Sequence, residues 1–111
     1  MTRPIAYITA PWSEDNLRNA TIAANYCRQV YEAGFSPICP VLFMPTFLKG
    51  DSPAEVKDRR EMSEDLLKRS RILIICGDCA SDEVKSDIAL AKRNRISYTM
   101  LSGVLAVSKL D

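Results

Sequence analysis

Two periods of apolar residues run along this chain, and the places where one gives way to the other mark its elements. The strongest apolar run is Ile72-Leu73-Ile74-Ile75-Cys76. It is short, continuous and closed by turn residues, so it reads as a strand buried on both faces of a parallel sheet. Gly77-Asp78-Cys79-Ala80-Ser81 interrupts it. Val84, Ile88 and Ala91 then keep helical spacing from about Asp82 to Asn94.

The upstream half repeats this rhythm. Pro4 to Ala10 reads as a strand, stopped by Pro11. Leu17, Ala20, Ala23, Ala24, Cys27, Val30 and Tyr31 line one face of a helix over 16–33, with Ser13 or Asp15 as its cap and Gly34 as its end. Phe35 to Cys39 forms a second short strand. A strand, a long helix and another strand in so few residues predict a right-handed βαβ crossover.

The segment 41–53 is irregular. Val41-Leu42-Phe43-Met44 and Thr46-Phe47-Leu48 are apolar, Pro45 separates them, and Gly50 to Pro53 turns the chain. Such a segment reads equally as a flap over a site, a subunit contact, or a loop folded back on its own core. Asp51 or Ser52 then starts a helix to about Ser70, with Met62, Leu66 and Leu67 inward. Glu55, Lys57, Asp58, Arg59, Arg60 and Glu61 read as its solvated face. Ile96 to Met100 is a fourth strand, Ser102-Gly103 a turn, and Val104 to Leu110 a short helix or tail. The alternation predicts a single α/β domain over 1–111. Its expected architecture is a small open parallel sheet of about four or five strands flanked by helices, Rossmann- or flavodoxin-like.

Composition narrows the chemistry. Hydrophobic residues make up 47% of the 111, enough for a core, and the net charge of +1 gives no basic excess that would point to nucleic acid. No apolar run approaches the roughly 20 residues of a membrane helix, and Met1-Thr2-Arg3-Pro4 opens no signal-peptide core, so a cytoplasmic protein without a membrane partner is expected. With no histidine, acid–base work falls to carboxylates, Tyr, Lys or Cys. Cys76-Gly77-Asp78-Cys79 is a lone CxxC. A zinc site would need Cys27 and Cys39 to converge on it, and a redox site would lack its usual aromatic and proline neighbours. Buried small hydrophobes are the plainer reading, so neither metal nor cofactor is expected.

Residues with chemical potential gather where strands end: Ala10-Pro11-Trp12-Ser13, Pro40 to Phe43, and Gly77 to Asp87. That is where open α/β sheets bind ligands. Ser81 is placed either to cap a helix or to hold an anion beside its first N–H groups. Asp87 lies just beyond the helix start, where a carboxylate is stabilised with or without a functional role.

The stretch Ser81-Asp82-Glu83-Val84-Lys85-Ser86-Asp87-Ile88-Ala89-Leu90-Ala91 resembles the S-x-G-x-x-x-E-[IL]-x-x-A signature of the nucleoside 2-deoxyribosyltransferase-like superfamily. It is closest to small members found in bacteria, phages and mobile elements. Tyr7-Ile8-Thr9-Ala10-Pro11 with Asn16, Ala20, Ala24, Tyr26 and Cys27 looks like the first strand and helix of that group. Glu32 to Leu42 resembles its aGxxPxxPHL segment. The resemblance covers nearly the whole chain. It implies a nucleoside or nucleotide as small-molecule partner, held at the strand C-termini, and a homo-oligomer that buries Phe43, Met44, Phe47 and Leu48. It implies catalysis by a carboxylate that attacks the anomeric carbon, here Asp87, with Tyr7 or Tyr98 as proton donor or orienter and no metal. Ala10, Pro11, Trp12, Ser13, Gly77, Asp78, Ser81 and Glu83 would surround the ligand.

The chain departs from that pattern at several positions. Asp87 is one methylene shorter than the family's Glu, Glu83 replaces the signature glycine, Val41 replaces the histidine, and Arg71 replaces an acidic residue before the third strand. A carboxylate displaced by about 1 Å can lose roughly 100-fold in rate. The reading is therefore a nucleoside- or nucleotide-binding protein with degraded or altered catalysis. The alternative is an active deoxyribosyltransferase or nucleotide N-glycosidase.

Overall fold

The computed structural model describes residues 3–11, 16–48, 52–77 and 80–110. Strands β1 (Ile5–Thr9), β2 (Ser36–Ile38), β3 (Ile72–Ile75) and β4 (Ser97–Met100) form one sheet in the order β2-β1-β3-β4. Every pairing is parallel, with Tyr7 opposite both Ile38 and Leu73, and Leu73 opposite Tyr98. The helices are α1 (Asn16–Glu32), α2 (Pro40–Phe43), α3 (Pro53–Lys68), α4 (Asp82–Arg93) and α5 (Leu101–Leu110). This is the expected α/β class, in the order that begins a flavodoxin-like sheet.

The two-residue period of β1 and β3 divides the core in two. Ala6, Ile8, Ala10, Ile74 and Cys76 face one way and pack with Ala23 and Val30 of α1, while Leu101 and Val104 of α5 lie against the same cluster. Tyr7 and Leu73 face the other way and pack with Leu67 of α3 and Ala91 of α4. Strands covered on both faces must be apolar at consecutive positions, which is why the Ile72–Cys76 run is unbroken. Ser52 and Ser81 cap α3 and α4, accepting from the backbone N–H of Glu55 and Val84 at 3.4 and 3.3 Å. Gly34 ends α1 at φ +103, a conformation that favours glycine.

Two segments differ from the sequence expectation. The irregular stretch after β2 is the helix α2 followed by a 3-10 turn, Met44–Thr46. Val41 and Met44 are buried, so this segment folds back onto its own core, and Phe47 is left exposed at its end. Ser102-Gly103 is no turn. It lies inside α5, which begins at Leu101. A Cβ on Gly103 would stand 3.0 Å from Thr99 Oγ1, so the glycine lets the helix start tightly against β4. The Gly50-Asp51 part of the expected turn lies outside the described residues. Among the described residues, no helix is long and apolar enough to cross a membrane.

Candidate functional site

In the order β2-β1-β3-β4, the chain leaves β1 toward one edge and β3 toward the other. The crevice outside the carboxyl ends of β1 and β3 is thus a topological switch point. A cavity of about 260 Å³ opens there, on the α3/α4 face of the sheet. Tyr7, Ile8, Thr9 and Ala10 of β1 and its C-terminal extension form the floor. Arg59, Arg60 and Ser63 of α3 make one wall, and Asp82, Glu83, Ser86, Asp87 and Leu90 of α4 make the other. Pro40, Val41 and Met44 close the end.

The chemistry concentrates on Asp87. It is half-buried one turn into α4, and its pKa is pushed up from 3.8 to about 6. Burial is the main cause, since low-dielectric surroundings disfavour the charged carboxylate. The Glu83 charge, one helical turn earlier, adds to it; the Thr9 hydroxyl and Arg59 guanidinium pull the other way. Tyr7 lies beside it, and burial followed by the Asp87 charge raises its phenol well above the ordinary range, against a hydrogen bond from Ser63. Tyr7 therefore stays protonated and acts as a hydrogen-bond donor rather than as a base.

Thr9 completes this group. Its hydroxyl is buried and stands close enough to Asp87 to favour ionisation, yet it closes no hydrogen bond of good geometry. It is the single buried side-chain N or O atom left unpartnered among the described residues. An orphan of this kind calls for an explanation, because leaving it unsatisfied costs roughly 1–3 kcal/mol. Its place on the cavity floor supplies one: a bound polar group would complete the bond.

Of the residues singled out in the sequence, Tyr7, Ala10, Glu83 and Asp87 meet in this cavity. Pro11, Gly77 and Ser81 stand outside its lining. Gly77 has φ +79, and a Cβ there would lie 3.1 Å from both Pro11 Cδ and the Tyr26 hydroxyl, so Pro11 and Gly77 serve to bring two loops and α1 together. Ser81 uses its hydroxyl to cap α4. Trp12, Ser13 and Asp78 lie outside the described residues. Tyr98 is on β4 at the sheet edge, 43% exposed and away from the cavity.

Thr9, Arg59, Arg60, Ser63 and Ser86 are cavity residues that sequence reasoning passed over. Arg59 and Arg60 belong to the patch read as solvated. Their signal was spacing: Arg60, Ser63 and Leu67 fall at i, i+3 and i+7, one stripe that ends in the buried Leu67. Thr9 lies two residues beyond Tyr7, hence on the same face of β1.

Cys27, Cys39 and Cys76 are free thiols, Cys39 and Cys76 are buried in the core, and a hydrogen bond with Cys39 lowers the pKa of the Cys27 thiol against its burial. Burial, then the charge of Cys27, pushes the Cys76 thiol up to about 12, the opposite of what a reactive thiolate requires. Cys27 offers Cys39 a hydrogen-bonding neighbour, and that contact followed by burial holds Cys39 protonated. Cys79 lies outside the described residues. Among the described residues, no three His, Cys, Asp or Glu side chains are grouped to hold a metal.

Fold and site together define a small parallel α/β domain with a mixed-charge cavity at its switch point. The chain belongs to the family of the domain of unknown function DUF7768, whose profile matches residues 4–101. No curated protein matches it.

Proposed function

We propose that this protein binds a nucleoside or nucleotide in the cavity above β1, on a deoxyribosyltransferase-like fold whose catalysis is degraded or altered. The observation that carries the reading is the orphan Thr9 hydroxyl beside the Asp87 carboxyl, on the floor of a cavity that also holds the Tyr7 phenol. A carboxylate, an unfilled hydroxyl and a phenolic donor suit the vicinal hydroxyls and ring oxygen of a sugar. Ile8, Val41, Met44 and Leu90 offer apolar surface to a base. The volume of about 260 Å³ lies just below the roughly 300–1,000 Å³ usual for ligand pockets, so only a small ligand fits it.

One observation also favours catalysis. Asp87 has a pKa of about 6, so most of it is ionised at neutral pH while the phenol beside it keeps its proton. An ionised carboxylate oxygen attacking C1′ would break the C1′–N bond, the electron pair passing to the base nitrogen, which then takes a proton. Water would hydrolyse the resulting glycosyl ester and regenerate the carboxylate. The shorter reach of Asp and the charge of Glu83 weigh against efficient turnover.

The test is thermal unfolding with a panel of nucleosides and nucleotides, followed by assay for free base. A ligand at about 100 times its Kd should add roughly 2.7 kcal/mol, a rise of several degrees. A flat panel refutes the reading. Base release that survives Asp87→Asn refutes the catalytic version alone. A homodimer through the exposed Phe47 is part of the same proposal, and a monomeric mass by light scattering at high micromolar concentration would remove it.

A further inference from the structure

The near-zero net charge conceals a strong segregation. All strands run parallel, so the cavity occupies one end of the sheet and the strand N-termini form the other. β1 alone separates the two ends by about 16 Å. At the N-terminal end a groove of about 430 Å³ is lined by Arg3, Pro4, Ile5, Arg69, Ser70 and Arg71. No carboxylate lines it. The register explains the convergence. The Arg71 N–H donates to the Ile5 carbonyl at 2.8 Å, which sets Arg69 and Arg71 beside the chain entering β1. Arg95 stands two residues before β4 on the same rim, at φ +56.

These guanidinium groups are free to act. Arg69, Arg71 and Arg95 are exposed and make no ion pair among the described residues. Two carboxylates near these elements are engaged elsewhere: Glu32 pairs with Arg28 at 3.3 Å, and Glu64 accepts from Arg93 and Asn94, while Asp65, four residues before Arg69, makes no ion pair with it. Arg3 is held in place. It donates to the Tyr31 carbonyl at 2.9 Å and lies 4.4 Å from the centroid of the Tyr31 ring. Arg28 lies over the same ring at 5.2 Å, and Tyr31 itself is 45% exposed. Ser70 is not a ligand, because its hydroxyl bonds the Leu66 carbonyl.

We propose that this rim is a binding surface for the phosphate backbone of single-stranded nucleic acid. Guanidinium groups clamp phosphate oxygens in pairs, and several along one open rim match the repeated charge of a phosphate backbone. The groove is open rather than enclosed, so it fits a polymer passing along it better than a small anion sealed inside. The surface is independent of the cavity and of whatever the cavity binds.

The test is fluorescence anisotropy of the full chain with a labelled single-stranded oligonucleotide of mixed sequence, across a salt series. If Arg3, Arg69 and Arg71, the three arginines that line the groove, neutralise one phosphate each, the slope of log affinity against log salt is about −2. Arg69→Gln with Arg71→Gln should flatten it to about −0.7 and weaken binding at least tenfold near 50 mM salt. Both side chains are exposed, so the doubly substituted chain should unfold at the wild-type temperature, which separates lost binding from lost fold. No binding at low salt overturns the proposal. So does binding that the double substitution leaves unchanged. Poly-glutamate competing as well as an oligonucleotide of equal length also overturns it, in favour of an acidic protein partner.

Discussion

Asp87→Asn should stabilise this protein at neutral pH while damaging its site. The wild-type carboxyl titrates at about 6 in the folded chain against 3.8 ordinarily. Between those values the folded state binds more protons than the unfolded state, so this group makes stability fall as pH rises through the window. Above about pH 6 the loss is complete, and a shift of this size corresponds to about 3 kcal/mol. That is a large part of the 5–15 kcal/mol typical of a domain. An asparagine never ionises, so it carries no such penalty, and its amide can donate to the Thr9 hydroxyl. The assay is urea denaturation of both proteins at several pH values between 4 and 7. The two should be nearly equal near pH 4 and diverge as pH rises, the variant gaining up to about 3 kcal/mol, or roughly 1–3 M in urea midpoint. Glu64, whose carboxyl is held low by Arg93 and Asn94, imposes the opposite trend in the acid range, but it is common to both proteins and cancels in the difference. A difference constant from pH 4 to 7, or a variant less stable at pH 7, would refute the account of Asp87 as a buried, charge-strained group.

Other substitutions probe other parts of the argument. Gly77→Ala places a Cβ 3.1 Å from Pro11 and Tyr26 at a φ of +79, and should cost about 1–3 kcal/mol in chemical denaturation. Ser81→Ala should lose about 1 kcal/mol through the lost cap and leave ligand affinity unchanged, since the hydroxyl serves the Val84 N–H; a titration showing weakened binding would return Ser81 to the site. Met44→Ala should cost about 2–5 kcal/mol, because the side chain is 1% exposed. A change near zero would mean that the segment after β2 opens as a flap.

Much of this fold was legible because its core is periodic. The apolar, β-branched content of β1 closed by Pro11, the unbroken run of β3 and the helical spacing of α1 each give one physical reading, and the observed elements begin and end within two residues of it. What escaped depends on contacts that no local period encodes. α2 and the turn after it are too short to show a repeat. Gly77 and Pro11 meet across 66 positions of sequence. Arg59 and Arg60 look like ordinary surface charge, because a helix stripe that faces a polar cavity is polar itself. Asp87 and Glu83 were visible through a short signature, whereas Thr9 was hidden within an apolar strand. Its significance lies in a hydrogen bond it lacks, which only three-dimensional packing reveals. The charge at the strand N-termini was averaged away by a net count near zero.

β1 has a hydrogen-bonded neighbour on each side, and its inner residues are covered on both faces. The floor of the cavity is therefore anchored in the part of the protein that opens last. Partial unfolding events would begin at β4, an exposed edge strand, or at the helix that follows it, and would leave Tyr7 and Thr9 in place. Amide hydrogen exchange should reflect this hierarchy. The Tyr7–Thr9 amides would exchange only through global unfolding, and a ligand would slow them only as far as it raises overall stability. Protection beyond that would appear in α3 and α4 alone. A ligand in the cavity would then be held by two helices settling against a strand that is already rigid.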